Sequence, residues 1–337
     1  MTAPPHSGHA VDPLLTADEW PAVIAAAGAA PSVHNTQPWR FAVRADVVEL
    51  HLDLARVLAV ADPDGRSARL SCGAALLNLR VALQAAGIET TVSLLPRRGH
   101  PTLLAVVRPV RRRRPTSADL TLSAAIRRRR SHRRPFHSAP VPQAALSAIV
   151  YAAAVEGGYL RLVQDPAMMR SITALARKAD QLLGDDEDYR AELARWTFST
   201  GDRTDGVPLS ASGPRPEPGT ALPIRDFAPD VPRSVHAYEA DPLVGLLMSP
   251  GDTALDQVRC GQALQRALLV AAEHGVGASI SAPVEVPAIR TELRAVTGTA
   301  MWPQLMLRLG SALPTAATPH RQVSAIAEIA PDPDPSA

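Results

Sequence analysis

Ala30-Pro31-Ser32-Val33-His34-Asn35-Thr36-Gln37-Pro38-Trp39-Arg40 is a polar, proline-stiffened loop that interrupts an apolar run and ends on a tryptophan. Upstream, residues 22–30 hold only apolar residues and Gly28, so they read as the end of a buried helix that Pro31 stops. Downstream, Phe41-Ala42-Val43 and residues 47–52 are apolar, partly alternating and β-branched, which predicts strand. A loop pinned between helix and strand is well placed to hold a ligand, and Ser32, Asn35 and Gln37 supply short donors and acceptors on a backbone stiffened by Pro31 and Pro38. The competing reading is an ordinary tight connection.

The chain is 337 residues long, enough for about two domain-sized units and a large core. Its 46% hydrophobic and 20% charged residues place it among soluble globular proteins. A net charge of +2 gives no strong field for a polyanion, and only Lys178 among 35 basic residues is lysine, so bulk arginine is discounted. Residues 1–20 lack Lys, Arg and an apolar core, and no eighteen apolar residues run together, so no secretory signal or membrane span is expected and the predicted location is cytoplasmic. Two cysteines, Cys72 and Cys260, are too few for a disulfide scaffold or a cysteine-built metal site.

Those cysteines reveal a repeat. Cys72-Gly73-x-Ala75-Leu76 and Cys260-Gly261-x-Ala263-Leu264 match at an offset of 188, and Gly87 then matches Gly275. Each motif opens a long apolar helix followed by strand-like runs, 91–95 and 103–107 in the first copy, 278–281 and 304–309 in the second. Upstream, helix 23–27 with strand 40–43 parallels helix 150–154 with strand 160–163. The span from Ala27 to Val43 is 16 residues and that from Ala154 to Val163 is nine, so the second copy lacks the loop. Conversely, residues 127–136 carry an arginine block, whereas the first copy has no arginine before Arg40. The copies differ in complementary places, so the loop of one and the arginines of the other are expected to complete one site.

Between the second copy's early strand and its long helix lies an insertion at about 185–240, with seven prolines and four glycines in residues 199–234. It reads as a lid, tacked down by short apolar patches at 207–209, 222–224 and Phe227. Residues 1–13 and 331–337 read as proline-rich tails.

Arg127 to Arg130 with Ser131 and Arg133 form a compact block suited to phosphate, because guanidinium forks match its oxygens. Arg111 to Arg114 read as solvated linker, and with no reader motif nucleic acid is not an expected partner. Consecutive acids at 185–188 lack a calcium-loop pattern, the histidines show no HxxxH pair, and no metal is expected. No Gly-x-Ser-x-Gly elbow, P-loop or Rossmann glycine fingerprint is present.

The Ala-Pro-Ser-x-x-Asn-x-Gln-Pro-Trp loop and the Arg-Arg-Ser-x-Arg block resemble the two flavin-contacting motifs of FMN-dependent nitroreductases, here in reverse order. That inversion, with the repeat, is similar to the Acg subfamily, whose single chain resembles a nitroreductase dimer fused end to end, over about residues 18–325. The resemblance implies an α+β nitroreductase-like fold, internally duplicated, with repeats at 1–115 and 116–330 forming one interwoven unit, a monomer that resembles a dimer. It implies bound FMN, with Arg129, Arg130, Ser131 and Arg133 (or Arg134, since the block is one residue longer than usual) on the phosphate and pyrimidine edge. Pro31, Ser32, Val33 and Asn35 approach from the other half, Gln37 shapes the loop, Ile280, Ser281 and Ala282 face the flavin, and Arg321 is a further phosphate ligand. The implied activity is oxidoreduction from NAD(P)H through FMN to a nitro, quinone or similar small aromatic acceptor; the alternative is a flavin-sequestering protein with a lidded site. A flavin does its own chemistry, so no catalytic side chain is assigned.

Overall fold

The computed structural model describes residues 14–330 except 45–46, 200, 282 and 313–314; Ala282 and the two proline-rich tails therefore lie outside the described residues. Helix α1 (Trp20–Gly28) leads through the motif loop into strands β1 (Trp39–Arg44) and β2 (Val47–Leu52), then α2 (Arg66–Ala85), β3 (Ile88–Leu94) and β4 (Leu103–Arg112). After α3 (Ser117–Arg128) the same succession returns as α4 (Gln143–Val155), β5 (Tyr159–Leu162), β6 (Leu243–Ser249), α7 (Ala254–Glu273), β7 (Val276–Ser281) and β8 (Trp302–Ser311). Inserted in the second succession are α5 (Pro166–Asp185), α6 (Glu187–Arg195) and α8 (Pro287–Thr297).

The sheets repeat too. One runs β1-β2-β4-β3 and the other β5-β6-β8-β7, each antiparallel throughout. In β2, Val48, Leu50 and Leu52 are buried while their neighbours are half-buried, the two-residue period of a strand with one face on the core. A further strand, β9 (Ala327–Ile329), joins the first sheet parallel to β1, Phe41 opposite Ala327, so this late segment returns to the first half.

The halves meet along α2 and α7. A Cβ on Gly73 would stand 2.2 Å from the Val258 carbonyl oxygen, and one on Gly261 2.0 Å from that of Leu70, so the helices touch backbone to backbone and only glycine fits. Leu70 and Val258, themselves 188 apart, are exchanged: Leu70 packs in the second half's core and Val258 in the first's. Each core thus needs the other half's helix. Cys72 and Cys260 are free and buried, and burial raises both thiols, Cys260 to about 12, leaving them unreactive.

Two expectations are corrected. The supposed linker at Arg111 to Arg114 begins inside β4, where Arg111 pairs with Glu89 at 2.6 Å, and Arg113 pairs with Asp119 at 2.7 Å. The acidic run at 185–188 is not irregular: α5 extends through Asp185, and Asp186 caps α6, its Oδ1 accepting from the Tyr189 N–H at 2.9 Å.

Candidate functional site

Pro31 ends α1's run, and the loop that follows is strained. His34, Asn35 and Gln37 all take positive φ, at 45°, 56° and 51°, a region unfavourable for residues with a Cβ. Such strain persists only where surrounding contacts fix it. Ser32 Oγ accepts from the Gln37 N–H at 2.9 Å; the Asn35 amide donates to the Gly206 and Pro319 carbonyls, each at 2.9 Å; and the Gln37 amide donates to the Thr204 carbonyl at 2.8 Å while its oxygen accepts from the Arg321 N–H, also at 2.8 Å. Both amides are buried and committed, clamping the insertion and the C-terminal strap onto the loop.

The other half supplies the opposite wall. After α3, His132 N–H donates to the Ala278 carbonyl at 2.8 Å and Ser131 bridges to Ala278, which stitches the arginine segment to β7. Pro31, Ser32 and Val33 from the loop, Ser131 and Arg133 from the arginine segment, and Ile280 from β7 line one cleft. Of Arg133 and the exposed Arg134, Arg133 is the one that lines it.

Around Arg129 and Arg133 themselves the charge is one-sided. Arg129 is 5% exposed and its Nε has no partner; among the described residues, no carboxylate lies within ion-pairing distance of Arg129, Arg130 or Arg133. Burial, then Arg130 and Arg133, pulls the Arg129 guanidinium down to about 10; burial, then Arg225, does the same to Arg133. His320 falls to about 4 through burial, then Arg129 and Arg130, and its Nδ1 is also unpartnered. Buried cations without acids are costly, so this cluster is built for an anion.

The lid crosses the cleft. Arg225 donates to His34 Nε2 at 2.7 Å and pairs with Glu285 at 2.5 Å; burial, then the charges of Arg225 and Arg133, hold the His34 pKa well below the usual value. Phe227 lies under the Arg133 guanidinium, 5.1 Å from ring centroid to Cζ, and Gly213 passes so close to Arg133 that a Cβ there would be 2.1 Å from its carbonyl oxygen. Val207, Leu222 and Phe227, three of the predicted tacks, are buried.

Of the sequence-predicted site residues, Asn35, Gln37, Arg129, Arg130 and Arg321 are not on the cleft wall. Asn35 and Gln37 spend their amides on the clamp, and Arg321 donates to the carbonyls of Gln37, at 3.4 Å, and Ala325. Ser281, at the end of β7, is paired along the backbone with Met306 of β8. Sequence reading missed Ser71, whose Oγ receives the Val33 N–H at 3.4 Å, as well as His34, Ser279 and Arg225 in the cleft. His34 sat inside the motif and was the one signal available.

A Mycobacterium tuberculosis protein provisionally named an NAD(P)H nitroreductase is 35% identical over 315 residues, spanning 91% of this chain and 90% of that protein. The M. tuberculosis protein provisionally named NAD(P)H nitroreductase acg is 29% identical over 323 residues, spanning 94% and 97%. Among solved structures, a nitroreductase with bound FMN from Desulfitobacterium hafniense is 15% identical, covering 60% of this chain and 93% of that one at a TM-score of 0.38. A BluB-like flavoprotein from Clostridium difficile is 17% identical, covering 62% and 98% at 0.39. No family model matches the chain. At 35% identity over nine-tenths of both chains, the protein belongs to the Acg-like nitroreductase family, and its function is nitroreductase-like. Among the described residues no helix is long and apolar enough to cross a membrane.

Proposed function

We propose that the cleft binds one FMN per chain and that the protein is an NAD(P)H oxidoreductase acting on a small aromatic nitro or quinone acceptor. The observation that carries this reading is the buried, acid-free guanidinium of Arg129 with the half-buried Arg130 and Arg133 close to it, Arg133 sharing the cleft with the motif loop. The residues fit the cofactor: on the cleft wall Arg133 and Ser131 would hold its polar edge and Pro31, Ser32, Val33 and Ile280 its ring, while Arg129 and Arg130, off the lined wall with His320 beside them, would hold its phosphate. When bound, FMN supplies the hydride and electron chemistry between a nicotinamide and the acceptor. The chain's own residues bind, orient and shield: β7 and the loop form opposite walls, and the lid excludes water from the space between them. The pseudo-symmetric position has neither the long loop nor the arginine block, which supports one FMN and not two.

The test is the visible spectrum of the purified chain, with one equivalent of flavin released on denaturation. Arg129→Ala should lower FMN affinity about ten- to hundredfold, the loss of a charge-assisted contact, while Arg112→Ala, at an exposed strand end, leaves it unchanged. Relief of the repulsion from Arg130 and Arg133 should leave the flavin-free Arg129→Ala chain at least as stable as the parent. Colourless protein that takes up no flavin overturns the reading.

The lid favours a second reading, flavin sequestration. Ile224, Arg225 and Phe227 line the cleft, and Arg225 is bonded to the motif's own His34. Slow bleaching of bound flavin by NAD(P)H would mark this function.

A further inference from the structure

Most polar side chains on the cleft wall are already committed within the protein. Ser32 Oγ accepts from the Gln37 N–H at 2.9 Å, Ser71 Oγ donates to the Ser67 carbonyl at 2.7 Å, Arg66 donates to the Gln304 and Val284 carbonyls at 2.8 and 3.1 Å, and Arg225 is held by His34 and Glu285. The hydroxyls of Ser131 and Ser279 also line the cleft, and among the described residues they neither donate nor accept a hydrogen bond. Ser279 is only 6% exposed, yet its oxygen is open, where the unpartnered Thr36 Oγ1 is sealed. A buried hydroxyl without a partner costs stability, and alanine would fill the same place without that cost.

Ser279 belongs to β7, next to Ile280 on the wall opposite the motif loop, and Ser131 bridges to Ala278, the residue before it. The two serines therefore stand on adjacent backbones, about 5 Å apart. Arg133, with one N–H spent on the Ala211 carbonyl at 3.2 Å, follows two residues after Ser131. A guanidinium only donates, whereas a hydroxyl donates and accepts. An ionised phosphate only accepts, so it leaves the accepting side of two hydroxyls unused. A flat heterocycle whose rim alternates carbonyl oxygens with an N–H uses both sides.

We propose that Ser279 is a ring-binding residue: with Ser131 its hydroxyl holds the pyrimidine edge of the flavin, away from the phosphate, and favours the reduced ring. The inference rests on the flavin reading and adds to it a residue that sets both the hold on the ring and its electron affinity.

The test is fluorescence-quench titration of the full chain with FMN and with riboflavin, which lacks the phosphate. Ser279→Ala should weaken both flavins by the same factor, about three- to tenfold, the worth of a neutral hydrogen bond. Arg129→Ala should weaken FMN and leave riboflavin unchanged, and Ser93→Ala, at an exposed position of β3, should change neither. Reduction puts negative charge on the pyrimidine edge, and a hydrogen bond to a charged acceptor is roughly twice as strong. Ser279→Ala should therefore loosen reduced flavin about tenfold more than oxidised flavin, which lowers the midpoint of the bound flavin by about 30 mV in a spectroelectrochemical titration. A variant that loses FMN affinity but keeps the parent's riboflavin affinity would put the hydroxyl on the phosphate and overturn the inference. So would a variant with the parent's affinities and midpoint, although the proposed function would then stand. A parent chain that takes up neither flavin overturns the proposed function and this inference with it.

Discussion

The two helix-to-strand junctions of the molecule answer the same geometric problem differently. Between α4 and β5 the second half uses three residues, with Gly157 at φ +79° and Gly158 set so close to α7 that a Cβ would come 2.5 Å from Ala263 Cβ. That is the economical link, built on glycine. Between α1 and β1 the first half uses ten residues, none of them glycine, and puts three side-chain-bearing residues into the left-handed region. Nothing in the fold demands the longer path, since the shorter one joins the same elements in the same sheet order. The extra residues carry cleft-lining groups and the clamp, so the strain belongs to the cleft and the shared topology to stability.

The comparison breaks most severely where the halves are alike. Gly261→Val should drive a Cβ into the Leu70 carbonyl, a backbone clash that neither helix can relieve by changing a rotamer. The cost should exceed the roughly 1–3 kcal/mol of ordinary overpacking, and soluble expression should collapse. Gly275→Ala, at φ +70° with open space around the new methyl, should cost only about 1 kcal/mol. Equal melting temperatures for the two variants would show that the helix contact does not set the assembly of the halves.

What was legible in sequence follows the same division. The paired Cys-Gly-x-Ala-Leu motifs exposed the repeat because backbone contact tolerates only glycine at Gly73 and Gly261, a constraint that composition records directly. The loop and the Arg129–Arg133 segment were legible as chemistry, and the complementary gaps in the repeat said that they should meet. The duties of Asn35, Gln37 and Arg321 were not legible, because an amide that binds a ligand and one that clamps a lid have the same letter and differ only in which carbonyl lies within 3 Å. Arg225 escaped for a related reason: it lies in a proline-rich stretch without periodicity, and only the folded lid carries it to His34.

A second experiment sharpens the contrast between the long loop and what holds it down. Replacing residues 199–234 by a short Gly/Ser linker removes the Arg225 bonds to His34 and Glu285 and the carbonyls that receive the Asn35 and Gln37 amides, Gly206 and Thr204. Each bond is worth about 1 kcal/mol net, so opening should become easier by a few kcal/mol. Bound flavin should then be bleached by NAD(P)H roughly a hundredfold faster in anaerobic stopped flow, with flavin retained. Equal rates would return the insertion to the status of an unexplained excursion.

The smallest expected effect isolates the anion site by pH. In the fold His320 is held to about 4 by burial and by Arg129 and Arg130, against about 6.5 for a free imidazole. A depressed pKa in a base means that the folded state takes up its proton later than the unfolded state, so stability is full above about 6.5 and is lost as pH falls toward 4. Between pH 7 and 5 the single group should cost about 2 kcal/mol, or a few degrees in Tm. Asp62 works in the opposite direction, because burial raises it to about 6 against two backbone N–H bonds, so the parent's slope alone is uninformative. The difference between the parent and His320→Gln cancels that term, and the variant should lose less stability on acidification. Adding FMN makes the measurement diagnostic: a phosphate between Arg129 and Arg130 neutralises the charges that depress His320, its pKa should rise toward the ordinary value, and the gap between parent and variant should close. A gap that FMN leaves unchanged would place the phosphate elsewhere, and the arginines beside His320 would then need another anion.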